Sequence, residues 1–493
     1  MRFRALPLVG AALLAVPCVR AQDVPLARLF PNLLTRSVIT PSSSGVAGTP
    51  HEGHFYPALA QQSAAYDLNK SLVTYLSTFP LGSSSGGFTY SLDPGTGIPS
   101  RSSQSFGPAF AERALTIGKG RFSAGVNFES VGYDRFEGLD LGQEGEPGEV
   151  VFYLQHNDCC VGQTPTGEPG PVPRATDPSA PVPEKDPAFE SDLLRIDLAF
   201  EVKNRTTAFF ANYGLTDRLD LGLAIPIVTI DVKADVFASL ERVSGSSPLI
   251  HTFEGNQDLS TKRFSDQGSA TGLGDVALRA KYNFLHRKGG GLAMALDLRL
   301  PTGDEDDLLG TGATQAKLSL IYSADYGRFS PHLNLGYTYS RGNVSEAVRL
   351  DPAEEKSRAA LGGVTLDPDL SVPDEINYTG GFTLALSPRA TFTFDAVGRT
   401  IRDANRFGLT GQQFQFRTRN YKVNGVVQET LATTSRDAVA IVDTGNLSIV
   451  LGAAGFKVNL SRTLLLNAQV LFPITDAGLR AKVTPVIGLD YAF

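Results

Sequence analysis

The chain has 493 residues, 42% of them hydrophobic and 19% charged, with no Trp and a net charge of −7. A mean hydropathy of −0.06, with no apolar run near the ~18 residues of a helical span beyond the N-terminus, excludes a multispanning helical membrane protein. No block of Lys or Arg offers nucleic acid a footing, the apolar content is too high for general disorder, and 50 Gly with 30 Pro suit a chain of many turns.

Met1 to Ala21 carries a basic MRFR, an apolar ALPLVGAALLAVP and a CVRA end with Val19 and Ala21 at −3 and −1, the pattern of a cleaved signal peptide. Its removal takes three Arg and no acid, leaving 41 basic against 51 acidic residues, or −10. Cys159 and Cys160 then remain, adjacent in a Pro-rich stretch. A vicinal bridge there is strained and a metal would need His156 and Asp158 as well, so they read as loop cysteines. Residues 22–118 lack sustained alternation, although Phe55 to Leu76 is spaced for a short helix with one broad apolar face. This segment is expected to be a plug partly inside a lumen, the alternative being a periplasmic arm. His51 and His54 within it lack a third metal ligand in the sequence.

From residue 119 the period becomes two. At the end of the chain Val483, Pro485, Ile487, Leu489, Tyr491 and Phe493 alternate with smaller or polar residues. The same alternation predicts twelve strands near 120–131, 193–214, 218–231, 273–285, 291–301, 314–325, 329–340, 375–387, 390–400, 446–459, 462–474 and 481–493. Fourteen result if 150–155 or part of 400–446 also pairs. Most are the ~10 residues that a tilted strand needs to cross a bilayer. The second strand changes parity near Asn204, and Gly452 to Gly455 reads as a β-bulge. Short turns such as Gly214 to Arg218 alternate with long loops at 142–190, 232–271, 341–375 and 400–446. That asymmetry predicts an all-β, transmembrane antiparallel barrel over 119–493, closed so that every backbone group is satisfied in hydrocarbon. Its oily stripe would contact outer-membrane lipid. Its polar stripe would line the lumen with Arg195, Asp197, Glu201, Lys203, Asp275, Arg279, Lys281, Asp297, Arg299, His332 and Asn334. Arg279 would oppose Asp297 in a symmetric hairpin.

The Pro cluster within 142–190 reads as an extracellular loop, and Asn424-Gly425 as a two-residue hairpin turn. Asp304, Glu305, Asp306 and Asp307 are weak candidates for a divalent cation; a solvated acidic loop, bridging ions at the lipopolysaccharide surface, is the plainer reading. No catalytic constellation or cofactor motif is found, so no enzyme and no cofactor is expected.

Tyr213–Val228 (YGLTDRLDLGLAIPIV), Thr271–Leu285 (TGLGDVALRAKYNFL), Leu298–Gly312 (LRLPTGDEDDLLGTG) and Gly478–Phe493 (GLRAKVTPVIGLDYAF) resemble the outer-membrane proteins grouped under the meta-pathway of phenol degradation. Ser105–Phe122 is similar to the same group. The resemblance implies an outer-membrane barrel that passes small hydrophobic or aromatic compounds, loosely similar to long-chain fatty-acid channels with an N-terminal hatch. Passive or plug-gated diffusion is the expected function. The alternative is a non-transporting surface protein whose long loops bind a partner.

Overall fold

The computed structural model describes residues 103–156, 192–242, 260–348 and 369–492, apart from 288, 424–425 and 462, with short stretches elsewhere, mostly before residue 103. Residues 1–18 and 21 of the expected signal peptide, His51, His54, Cys159, Cys160 and the Pro cluster lie outside them, whereas Val19 and Arg20 pair with Thr271 and Ala270.

Twelve antiparallel strands close into a barrel. They are β1 (Phe122–Tyr133), β2 (Asp192–Gly214), β3 (Leu219–Arg242), β4 (Ala277–Arg287), β5 (Gly290–Arg299) and β6 (Ala313–Ser323). They continue with β7 (Phe329–Gly342), β8 (Glu375–Ser387), β9 (Ala390–Val423), β10 (Val426–Ser461), β11 (Leu464–Pro473) and β12 (Thr484–Ala492). Each strand pairs with the next, and β12 returns to β1 with Val486 opposite Glu129, so the ring has no free edge. Among the described residues several further strands lie outside the ring, two of them longer than three residues. Val150–His156 pairs with the far part of β2, and Thr261–Leu273 with the far part of β3.

Strands β4 to β6 are only 10 or 11 residues long, enough to cross a bilayer once when tilted. Their outward side chains are apolar and uncovered: Leu296, Leu318 and Leu320 are each about half exposed. Lipid is the medium that makes this arrangement stable, because the same residues facing water would cost about 25 cal/mol per Å² of apolar surface. Tyr213, Tyr282, Tyr322, Tyr326 and Phe329 ring the short-turn end, an interfacial belt made without Trp.

Four strands are far longer. β2 and β3 have 23 and 24 residues, and β9 and β10 have 34 and 36, so at about 3.3 Å per residue their far halves stand clear of the membrane. There the chemistry inverts. Within the span the inward residues of β2 are Asn204, Thr206, Ala208, Phe210 and Asn212; beyond it they are Leu194, Ile196, Leu198, Phe200 and Val202, all buried. The ladders of β2 with β1 and β3 run without a register shift through Asn204. The parity change expected there is therefore a change of medium: hydrocarbon outside the span wants oil outward, and water outside the extension wants oil inward. Thus the expected loops at 232–271 and 400–446 are largely strand. No bulge occurs at Gly452 to Gly455 either, since β9 and β10 pair uniformly from Leu447 to Val458; their irregularities fall at Ile401/Ala404, Arg406/Phe407 and Asn420/Val423.

The extension encloses one apolar core. Ile196, Phe200, Ile230, Val236, Phe136, Phe152 and Leu309 meet Leu26, Leu29, Leu68, Leu72 and Leu76 from the N-terminal region. Residues 26–29, 67–72 and 74–76 are helical, within the span where the apolar spacing predicts a helix for the latter two. Ala27 N donates to Asp306 O at 3.0 Å, which moors the early chain to the outer loop after β5.

Candidate lumen site

Residues 103–119 run across the short-turn end of the lumen, and the barrel wall binds their backbone with polar side chains. Asp395 Oδ2 accepts from the N–H of Ala109 (3.0 Å) and of Phe110 (2.9 Å). Asp220 accepts from Ile117 N, Thr391 from Phe106 N and Ser323 from Ala114 N. In the other direction Lys457 Nζ donates to Pro108 O (2.7 Å), Lys281 Nζ to Leu115 O (3.1 Å) and Asn283 to Ala114 O (2.7 Å). A segment without regular structure leaves its N–H and C=O groups unmade, and burying them costs roughly 1–3 kcal/mol apiece unless partners are supplied. Polar inward faces of the strands supply them. Gly214 completes the seat: a β-carbon there would fall on the carbonyl oxygen of Gly118.

Above this seat lies a cavity of about 230 Å³, with Phe110 from the seated segment and Tyr75 from the helical stretch above among its lining residues. Its walls differ in character. Val131, Tyr133, Phe210, Ile449 and Leu471, from β1, β2, β10 and β11, make an apolar side. Across from them β4 to β9 contribute Arg279, Asp297, Arg299, Lys317, Glu375 and Arg399. Arg279 bonds Asp297 on β5 and Glu112 of the seated segment. Lys317 is 3.6 Å from the same Asp297, and Arg399 is 3.3 Å from Glu375 while its guanidinium lies 5.8 Å over the Tyr75 ring.

Of the residues expected to line the lumen, Arg279, Asp297 and Arg299 line this cavity, and Arg279 pairs with Asp297 in the register foreseen for a symmetric hairpin. Lys281, His332 and Asn334 face inward lower down: Lys281 is 3.5 Å from Asp220, His332 Nε2 is 2.5 Å from Asp395, and Asn334 donates to Glu112 O. Asp275 instead caps the outer loop, accepting from Gly303 N and from Thr311 N and Oγ1. Arg195, Asp197, Glu201 and Lys203 are corrected: they sit on the outward face of the β2 extension, where Arg195 bonds Asp197 (2.7 Å) and Lys203 bonds Glu201. The acidic run is used in contacts within its loop and with neighbouring segments. Asp304 accepts from Asp306 N, Asp306 accepts from Ser345 Oγ, and buried Asp307 accepts from Leu26 N. Among the described residues no group of three or more His, Cys, Asp or Glu is placed to hold a metal.

Gln315, Lys317, Glu375, Arg399 and Asp395 were missed, although the period-2 reading of β6, β8 and β9 puts each on the inward face. Glu112 carried no signal, because residues 103–119 have no period to read.

Outside the membrane, Asp235 on β3 is gripped by Arg263 (2.6 Å), Ser265 and the N–H of Gly145. Burial would raise its pKa; the Arg263 bond and the two further donors outweigh that and hold it below the ordinary carboxylate range.

The family model described as Putative MetA-pathway of phenol degradation matches residues 195–445, half of the chain. The chain belongs to this family. The matched span of the phenol-degradation family runs from the β2 extension to the middle of β10, and so holds the polar side of the cavity but not the seated segment. Among solved structures, the chain is similar to an outer membrane channel from Pseudomonas putida F1 at 11% identity, with 77% of this chain and 98% of that one covered and a TM-score of 0.37. A Pseudomonas aeruginosa FadL homologue gives 11%, 83%, 96% and 0.30, and the toluene transporter of Ralstonia pickettii 10%, 77%, 91% and 0.27. No curated protein matches.

Proposed function

We propose that this barrel is an outer-membrane channel for small, largely apolar aromatic compounds. One observation carries the reading: a cavity inside a transmembrane barrel, between residues 103–119 and the apolar core of the extension, with an aromatic-lined wall. A barrel that merely displayed loops would have no use for a mixed apolar and polar chamber at mid-lumen. Residues 103–119 act as the plug of this channel, and passage follows its local loosening. The toluene transporter named among the similar structures is consistent with such a solute. The test is initial uptake of radiolabelled phenol at micromolar concentration by cells stripped of their own aromatic channels. Expression of the chain is expected to raise the rate several-fold over empty vector; equal rates would defeat the proposal.

A further inference from the structure

The polar side of the cavity carries an imbalance of charge. Arg279, Arg299, Lys317, Arg399 and Arg480 line it, against two lining carboxylates, Asp297 and Glu375. Two more carboxylates stand just behind: Glu112 on Arg279 and Asp476 on Arg480. Among the described residues Arg279, Lys317, Arg399 and Arg480 each lie within ion-pair distance of one of these carboxylates, and Arg299 does not. Its contact is a neutral one, Nη1 donating to Gln315 Oε1 at 3.4 Å, and no carboxylate lies within ion-pair distance of it among the described residues. Lys317 shares Asp297 with Arg279, so the cation-rich corner is formed by β5 and β6 together. Opposite stands the apolar wall with Phe210, Tyr133 and Leu471.

Resting on the channel reading above, we infer that the preferred occupant is a single-ring aromatic monoanion, a benzoate-type carboxylate. Its ring lies on the apolar wall and its carboxylate meets Arg299 and Lys317. The size agrees: a cavity of about 150 Å³ holds benzene, so about 230 Å³ holds one ring bearing a short substituent. The charge agrees as well. A guanidinium half withdrawn from water with a neutral partner is under-compensated, and a planar carboxylate fits its fork of donors. A neutral hydrocarbon would fill the apolar side and leave Arg299 as it was. A dianion would exceed the surplus and be repelled by Asp297 and Glu375.

The experiment is equilibrium dialysis of the full detergent-solubilised chain against radiolabelled benzoate, benzyl alcohol and benzylamine, which share a ring and differ in charge. Benzoate is expected to bind at least tenfold more tightly than either of the others. In Arg299→Gln that preference is expected to collapse while benzyl alcohol affinity stays within twofold, and Lys317→Gln is expected to reduce it in part. Heat-modifiable gel migration verifies that each variant is a folded barrel. Equal binding of benzoate and benzyl alcohol, an unchanged preference in Arg299→Gln, or binding of none of the three overturns the inference. Phenol uptake in cells is scored separately. If it is retained while the benzoate preference fails, only the anion inference falls; if it is absent, the channel reading falls whatever the dialysis gives.

Discussion

Single side chains in this barrel take their meaning from the medium at their height. Arg195 and Arg299 both alternate with apolar neighbours, yet Arg195 faces outward on the extension and Arg299 inward at the cavity. Period-2 reasoning separates two faces of a strand, but it cannot say which face is inside once the strand leaves the hydrocarbon. This is why Arg279, Asp297 and Arg299 were legible in the sequence and the four residues of the β2 extension were misassigned. Asp235 shows the same setting from the solvent side. Because its folded pKa is depressed, the stability it lends is fully present above the ordinary carboxylate value of about 3.9 and is lost as pH falls through the lower folded value. The contact of Gly145 with β3 should thus hold from neutral pH down through mild acid. In Asp235→Asn it should be weaker by about 1 kcal/mol at neutral pH, with little further change on acidification. Amide hydrogen exchange at residues 143–146 measures both.

Whole elements were easier to read, for a physical reason: each membrane-crossing strand must keep one oily and one polar face over about ten residues, and that demand writes itself into the sequence. The short turns were located because they join strands with almost no slack. Residues 103–119 obey no such demand. The wall side chains that bind their backbone lie 98 to 349 residues away, such as Asp217 and Lys457, so no local pattern announces them. The same bonding makes the element fragile at a few points. Asp395 receives two of its N–H groups and also contacts His332. Asp395→Asn keeps the shape and removes the charge, and should weaken the seating by about 1.5–3 kcal/mol, the worth of hydrogen bonds to an ionised group. Faster tryptic cutting after Arg113 or Lys119 in the folded variant would record this; unchanged cutting would show that the remaining wall contacts suffice.

At the scale of the molecule, two interiors are stacked in one ring: a polar one at membrane height and an apolar one above it. Each is stable only with its own surroundings outside, so the boundary between them fixes how deep the barrel sits. A charge placed on the oily belt tests that depth. Leu296→Arg, half exposed near the middle of β5, should cost about 2–4 kcal/mol if it lies at the bilayer midplane, falling toward zero near either interface. Urea-dependent folding into lipid vesicles gives the value. One arrangement has a consequence for how such a protein is put together. The early chain is fastened to the outer loop through Ala27 and, farther on, to the opposite mouth through residues 103–119, just before β1 begins. The wall partners of residues 103–119 sit on β3, β4, β6, β9 and β10, so closing the β1–β12 seam completes the ring around a segment bound from several sides.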